Sequence, residues 1–80
     1  MVHDYLNLGK DYVVVEFHTT DDLIGKSIGE IIKDFDVNAL VLKRNKEVHA
    51  HPDLNLEVRI GDCLVLGGWL EELRKLVKNL

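Results

Sequence analysis

Few side chains in this 80-residue sequence combine the type and the spacing that chemistry requires. The clearest candidates are His49 and His51, two imidazoles two positions apart. On a strand, residues i and i+2 share a face, so both rings could reach one metal ion. Two ligands are too few for a tight site, although a dimer axis would double them. The competing reading is a polar strand face or a dimer contact. Asp62 follows Gly61, a position where a carboxylate bonds its own turn backbone more readily than it serves as an acid or base. Asp21 and Asp22 could draw a cation, but adjacent acids in a loop are ordinarily just solvated. The hydroxyl groups cluster at Thr19-Thr20 and Ser27, and Ser27 is committed to capping a helix. No Ser or Cys has a matching His and Asp set, so no nucleophile with its base can be assembled and no enzyme is expected.

Composition narrows the remaining classes. A chain this short buries only about 60–65% of the surface its unfolded form exposes, so stability is marginal without reinforcement. Small domains find that reinforcement in disulfides, a metal or a partner chain. Cys63 is the one cysteine, which excludes an intrachain disulfide and fits a reducing cytoplasm. Within the run Cys63-Leu64-Val65-Leu66 it reads as a small core hydrophobe. A net charge of −4, from 14 acidic and 10 basic side chains, argues against nucleic acid, which demands a basic footprint. No apolar run exceeds five residues, whereas a bilayer span needs about 20. Direct membrane insertion is therefore not expected. Nor is a signal peptide, because Met1 to Tyr5 is not a basic stretch leading into an apolar one.

The elements that must position these groups follow from pattern. Residues 1–11 are mixed, with Leu6 and Leu8 as anchors. Tyr12 to His18 is rich in β-branched and aromatic residues and predicts a strand. Thr19 to Gly25 is a loop. Ser27 and Glu30 have capping-box spacing. Ile28, Ile31, Ile32 and Phe35 follow at i, i+3, i+4 and i+7, which predicts a short helix with one buried face, stopping near Asp34 to Asp36. Ala39 to Leu42 is a short continuous apolar run, the mark of a strand covered on both faces. A tight turn at Arg44 to Glu47, with Asn45 at positive φ, leads into an alternating strand that Pro52 ends. Leu56, Val58 and Ile60 alternate again, as a further candidate strand. Cys63 to Leu66 is another buried strand, broken by Gly67-Gly68. Trp69 to Leu80 is a final helix with a stripe of Leu70, Leu73, Val77 and Leu80, acidic near its start and basic later, as the helix dipole favours. Trp69 reads as core or interface packing. The order is β-α-β-β-(β)-β-α, or β-α-β-β-β-α without the candidate strand at Leu56 to Ile60. It predicts a single α+β domain over residues 1–80, with a small mixed or antiparallel sheet and two helices.

Four of these segments carry a resemblance. Gly25 to Ile31 resembles the G-K-[ST]-[LI]-x-E-[LI] opening of the TrkA-C family, the C-terminal domains of RCK (regulator of potassium conductance) subunits. Val37 to Arg44 resembles that family's second strand with its basic end. His51-Pro52 resembles the proline-bearing end of its third strand, and Ile60 to Gly67 its G-D-x-[LI]-x-[VL]-x-G signature. The match covers about residues 6–76, in family order. It implies a cytoplasmic, homodimeric domain that regulates potassium or other cation transport. In the family such a domain follows a nucleotide-binding Rossmann half. Here there is no Gly-x-Gly-x-x-Gly and no length for one. The implied partner is thus a separate TrkA-N/RCK_N-type subunit and, through it, a membrane potassium transporter, unless the chain is a fragment. The family's NAD and ATP sites do not carry over.

The resemblance also implies a ligand site. Some relatives bind cyclic di-AMP between two such domains, in a pocket lined by the second strand, its basic end and the third strand. Carried over, Arg44 would fork onto a phosphate, Ala39 and Val41 would supply an apolar wall, and His51 with Pro52 would close it. The competing reading leaves Lys43 and Arg44 as solvated turn residues. A bound cation is the other ligand class considered, at His49 and His51. Two other functions fit the same elements. One is an ACT-type small-molecule sensor, which expects a glycine in the loop after the first strand, where Gly25 stands. The other is an assembly module with no ligand.

Overall fold

The computed structural model describes residues 2–79. Five strands form one sheet: β1 (Val2–Asn7), β2 (Tyr12–His18), β3 (Val37–Arg44), β4 (Glu47–Ala50) and β5 (Cys63–Trp69). Their spatial order is β1-β2-β5-β3-β4, and every neighbouring pair is antiparallel. Two helices, α1 (Ile28–Ile32) and α2 (Leu70–Lys78), pack on one face, and a 3-10 turn spans Asp21–Leu23. The expected β-α-β-β-β-α order is present as β2 to α2, and the α+β class with a small sheet and two helices holds.

The core forms between that face and the helices. Val13, Val15 and Phe17 of β2 alternate inward with Leu64 and Leu66 of β5 and Leu42 of β3. They meet Ile28, Ile31 and Ile32 of α1 and Leu73 and Leu76 of α2. The α1 start is a complete capping box: the Glu30 N–H donates to Ser27 Oγ at 3.1 Å, and the Ser27 N–H to Glu30 Oε1 at 3.2 Å. Those bonds from Ser27 hold the Glu30 carboxyl below its ordinary pKa. The expected turn between β3 and β4 forms with Asn45 at φ 56°.

Several expectations need correction. Residues 2–7 are an edge strand, and neither Leu6 nor Leu8 is an anchor, since both are exposed. Alternation failed to show β1 because its central positions are polar. Leu56, Val58 and Ile60 are not a sheet strand. This segment straps back along α1's entry instead, with Gly25 N to Val58 O, Val58 N to Lys26 O and Ile28 N to Leu56 O at 2.9–3.0 Å. Val58 is buried by that strap, while Ile60 is exposed. Gly67 and Gly68 do not break β5 but run within it. They let β3 come close, for a Cβ on Gly68 would lie 2.9 Å from Val37 Cγ1 and 3.0 Å from Asp36 O. Trp69 belongs to that strand, so α2 starts at Leu70. Leu73 and Leu76 are the buried residues of α2, with Leu70 and Val77 half-buried; Leu80 lies outside the described residues. The first helix ends at Ile32, a few residues earlier than its spacing suggested.

Among the described residues no helix lies on the sheet's second face, so the expectation that Ala39 to Leu42 is covered on both faces fails within one chain. A register shift between Ala39 and Val41 places Val41 opposite Val65 and Leu42 opposite Leu64. The bulge explains how an unbroken apolar run serves a one-sided sheet. Leu42 points into the core, Val41 to the open face, and the Leu40 side chain folds over Gly67.

Candidate functional site

The most organised polar group in the molecule is at the end of β3. Asp62 is 1% exposed, the buried charged residue among the described core. Its carboxylate receives Arg44 Nε at 3.0 Å and Nη2 at 2.8 Å, a two-pronged ion pair. A third donor, the Arg59 N–H, reaches Oδ2 at 2.8 Å. Arg44 Nη2 also donates to Glu57 O at 2.9 Å. The Thr19 hydroxyl and N–H both donate to Asp62 O at 3.0 Å. Arg44 and Asp62, the latter through both its carboxylate and its backbone carbonyl, thus tie together the ends of β2 and β3, the start of β5 and the 57–62 loop. Burial alone would raise the Asp62 pKa, but the bonds from Arg44 and Arg59 and their positive charges outweigh it, and the net shift is downward. The turn role expected of Asp62 is present, and the ion pair to Arg44 adds to it.

The residues named for a ligand do not all converge within one chain. Arg44 is not a solvated turn residue; its fork is filled by Asp62. His51 stands at the other end of the β3–β4 hairpin, where its N–H donates to Leu40 O at 3.0 Å. Arg44 is four residue steps along the strand from Leu40, about 13 Å at ~3.3 Å per residue. Val41 lies on the open face opposite Ala50, whereas Ala39 packs against the core. His51 is exposed and Pro52, beside it, half-buried.

The paired-histidine geometry is corrected too. Strand β4 ends at Ala50, and His51 adopts a left-handed φ of 49°. The i, i+2 rule therefore no longer places its ring beside that of His49. His49 lies 3.9 Å from the Glu47 carboxylate. Among the described residues, no group of three or more His, Cys, Asp or Glu side chains could hold a metal ion.

Cys63 is also not a core hydrophobe. Its strand position pairs it with His18 and Lys43, on the side away from the helices, and Sγ lies 3.0 Å from His18 Nδ1. Burial, then the Glu16 charge, push the thiol pKa up, which favours the unreactive protonated form. Beside it, Lys43 and Glu16 pair at 2.8 Å. At the opposite end of the same face, Tyr12 and Trp69 meet edge to face, 4.9 Å between centroids. Trp69 is 47% exposed, which leaves interface packing as the surviving half of its expected role. Shallow hollows lie elsewhere: about 420 Å³ between α1 and α2 around Lys26, Glu30 and Asn79, and about 390 Å³ beside Trp69 and Arg74. Neither contains a residue named above for a ligand. No helix among the described residues is long and apolar enough to cross a membrane.

Comparison with known proteins gives two findings. The chain superposes on the C domain of the potassium transport protein KtrA, a regulator of conductance of K+ (RCK), solved in complex with cyclic diadenosine monophosphate (c-di-AMP). The TM-score is 0.79 and the identity 31%, over 91% of this chain and 88% of that one. It is also 34% identical over 79 residues to a probable alpha-L-glutamate ligase of Rhodopirellula baltica, a match spanning 95% of this chain but only 20% of that protein. No protein-family model matches the chain.

Proposed function

Because the chain belongs to the RCK C-terminal (TrkA-C) domain family, we propose that it is a non-catalytic regulatory domain of a potassium-transport complex. The observation that carries this reading is the likeness to the KtrA C domain, which extends over nearly the whole of both chains at 31% identity. In this reading the domain is cytoplasmic and works as a homodimer. It docks on a separate Rossmann-type subunit and acts through it on a membrane potassium transporter. A ligand changes the output by binding one arrangement of the dimer better than another, since equal affinity for both would shift nothing.

The proposed ligand is c-di-AMP, the molecule held by the KtrA C domain. Val41 and Pro52 offer apolar contact and His51 a polar margin, on the open-face side of the β3–β4 hairpin or at its end. Ala39 contributes from behind, as part of the packing that sets the strand. Arg44 reaches a phosphate only by releasing Asp62, so its first duty in the unliganded domain is to hold the 57–62 loop. Calorimetric titration with c-di-AMP tests the reading. Saturable binding is expected, with a rise in melting temperature that reflects about 2.7 kcal/mol of added stability at one hundred times the dissociation constant. Absence of both heat and thermal shift at millimolar ligand contradicts the sensing role and leaves an assembly module.

The ligase match favours a second reading, in which the same module regulates a different protein. The chain spans only 20% of that ligase, so ligase activity itself is not proposed. Co-purification with a transport subunit separates the two readings.

A further inference from the structure

We propose that the hollow beside Trp69 is a docking site for an arginine side chain presented by a partner protein. The site lies outside the potassium-transport reading and needs neither the homodimer nor c-di-AMP. The hollow, about 390 Å³, is lined by Asp11, Trp69, Leu70, Glu71 and Arg74. In the sheet it belongs to the end of β5, with β3 between it and β4. Trp69 is the one tryptophan of the chain, and it is 47% exposed. Across the β2–β5 pair it stands opposite Tyr12, whose ring meets it edge to face at 4.9 Å. That contact orients the indole. The turn between β1 and β2 brings a carboxylate to the same place. Lys10 and Asp11 sit there at φ 51° and 65°, positions that Asn and Gly favour. The Asp11 carbonyl accepts the Leu70 N–H at 2.7 Å, which ties the turn to the first residue of α2. Glu71 follows in the first turn of that helix.

Charge selects the occupant. The ion pairs among the described residues are Lys43–Glu16, Arg44–Asp62, His49–Glu47 and Lys75–Glu72. Asp11, Glu71 and Arg74 take part in none of them. Two carboxylates against one guanidinium leave the hollow with negative charge in excess, so it answers a cation. An aromatic ring beside carboxylates favours a guanidinium over an ammonium, because the flat group stacks on the indole and forks onto a carboxylate. An anion is disfavoured, since Glu71 and Glu72 already answer the N-terminal dipole of α2. A metal ion is disfavoured too, because no group of three or more His, Cys, Asp or Glu forms among the described residues. The hollow is shallow, whereas a small-molecule pocket encloses about 70–90% of its ligand's surface. A side chain carried on a protein gains the missing contact from the rim around it. Trp, Tyr and Arg are the residues that most often dominate protein–protein binding, and this corner holds Trp69, Tyr12 and Arg74.

Fluorescence of Trp69 tests the proposal, because the chain has no other tryptophan to obscure it. The probe is a hexapeptide, blocked at both ends, that carries two arginines among glycines, with its lysine and glutamate counterparts. The arginine peptide is expected to shift the emission saturably, the lysine peptide to bind several-fold more weakly and the glutamate peptide not at all. Asp11→Asn combined with Glu71→Gln is expected to weaken arginine-peptide binding about fivefold or more. Asparagine tolerates the left-handed turn at position 11, so the fold is expected to survive. Asp21→Asn combined with Asp22→Asn removes the same charge elsewhere and is expected to bind as wild type does. Arg74→Glu is expected to tighten binding, a gain that misfolding cannot mimic, and it serves if the first double variant fails to fold. No saturable shift at about 10 mM arginine peptide overturns the proposal. So does equal binding of the arginine and lysine peptides, equal weakening by the two double variants, or an Arg74→Glu variant that binds no more tightly. Each of these results leaves the potassium-transport reading intact.

Discussion

At the scale of single residues, the molecule turns on Arg44 and Asp62. The sequence shows Asp62 as a turn residue, and its bond from the Arg59 N–H agrees. Its partnership with Arg44 was not legible, because the two stand 18 positions apart and the alternation of the strap between them reports burial but not hydrogen-bond partners. Removing the cation would leave a carboxylate that is 1% exposed without its partner. Arg44→Ala is therefore expected to cost about 3–5 kcal/mol, read from urea midpoints. A loss under about 1 kcal/mol would mean that the pair is solvated and weak. The pair also sets acid behaviour. The folded pKa of Asp62 is depressed, so its contribution is full above the unfolded value of about 3.9 and is lost as pH falls through the lower folded value. Asp62→Asn should flatten that part of the stability–pH profile below about pH 4. An unchanged profile would assign acid unfolding to other carboxylates. His49 and His51 teach the complementary lesson. Two residues of spacing implies a shared face only while the strand lasts, and the left-handed turn at His51 ends it.

At the scale of elements, signals that are local in sequence were read correctly. Ser27 to Glu30 forms the capping box its spacing implied, and Asn45 takes the turn conformation assigned to it. Elements defined by long-range contact were misread. The glycine pair looked like a strand break, but Gly67 and Gly68 run within β5, and at Gly68 the backbone of Asp36 and Val37 comes too near to admit a Cβ. Gly68→Ala is expected to destabilise by about 1–3 kcal/mol, because the new methyl group meets the backbone at Asp36 and Val37 as well as a side chain. A thermal midpoint equal to wild type would show that β3 yields without strain. The strap from Leu54 to Val58 has real alternation in Leu56 and Val58, but its hydrogen-bond partners are α1's entry residues rather than a sheet edge. Periodicity reported burial there correctly and could not report the partner. Strand β1 was invisible for the opposite reason: it is an edge strand held by pairing to β2, with little apolar alternation of its own.

At the scale of the whole molecule, the order of motifs was more informative than any one of them. Four short segments in family sequence order anticipated a fold that the KtrA C domain shares at a TM-score of 0.79. The proposed ligand site was less legible, because in the proposed homodimer it would draw on residues of two chains. Within one chain Arg44 and His51 stand at opposite ends of a hairpin, and Val41 faces away from the core. In the proposed homodimer, two such hairpins would come together. A ligand held between them would count two chains for each molecule. Native mass spectrometry of the 9.1 kDa chain titrated with c-di-AMP measures that ratio directly. The account predicts a dimer carrying one dinucleotide as the dominant liganded species. A monomer carrying its own ligand, or a dimer that takes none at saturating concentration, would contradict it.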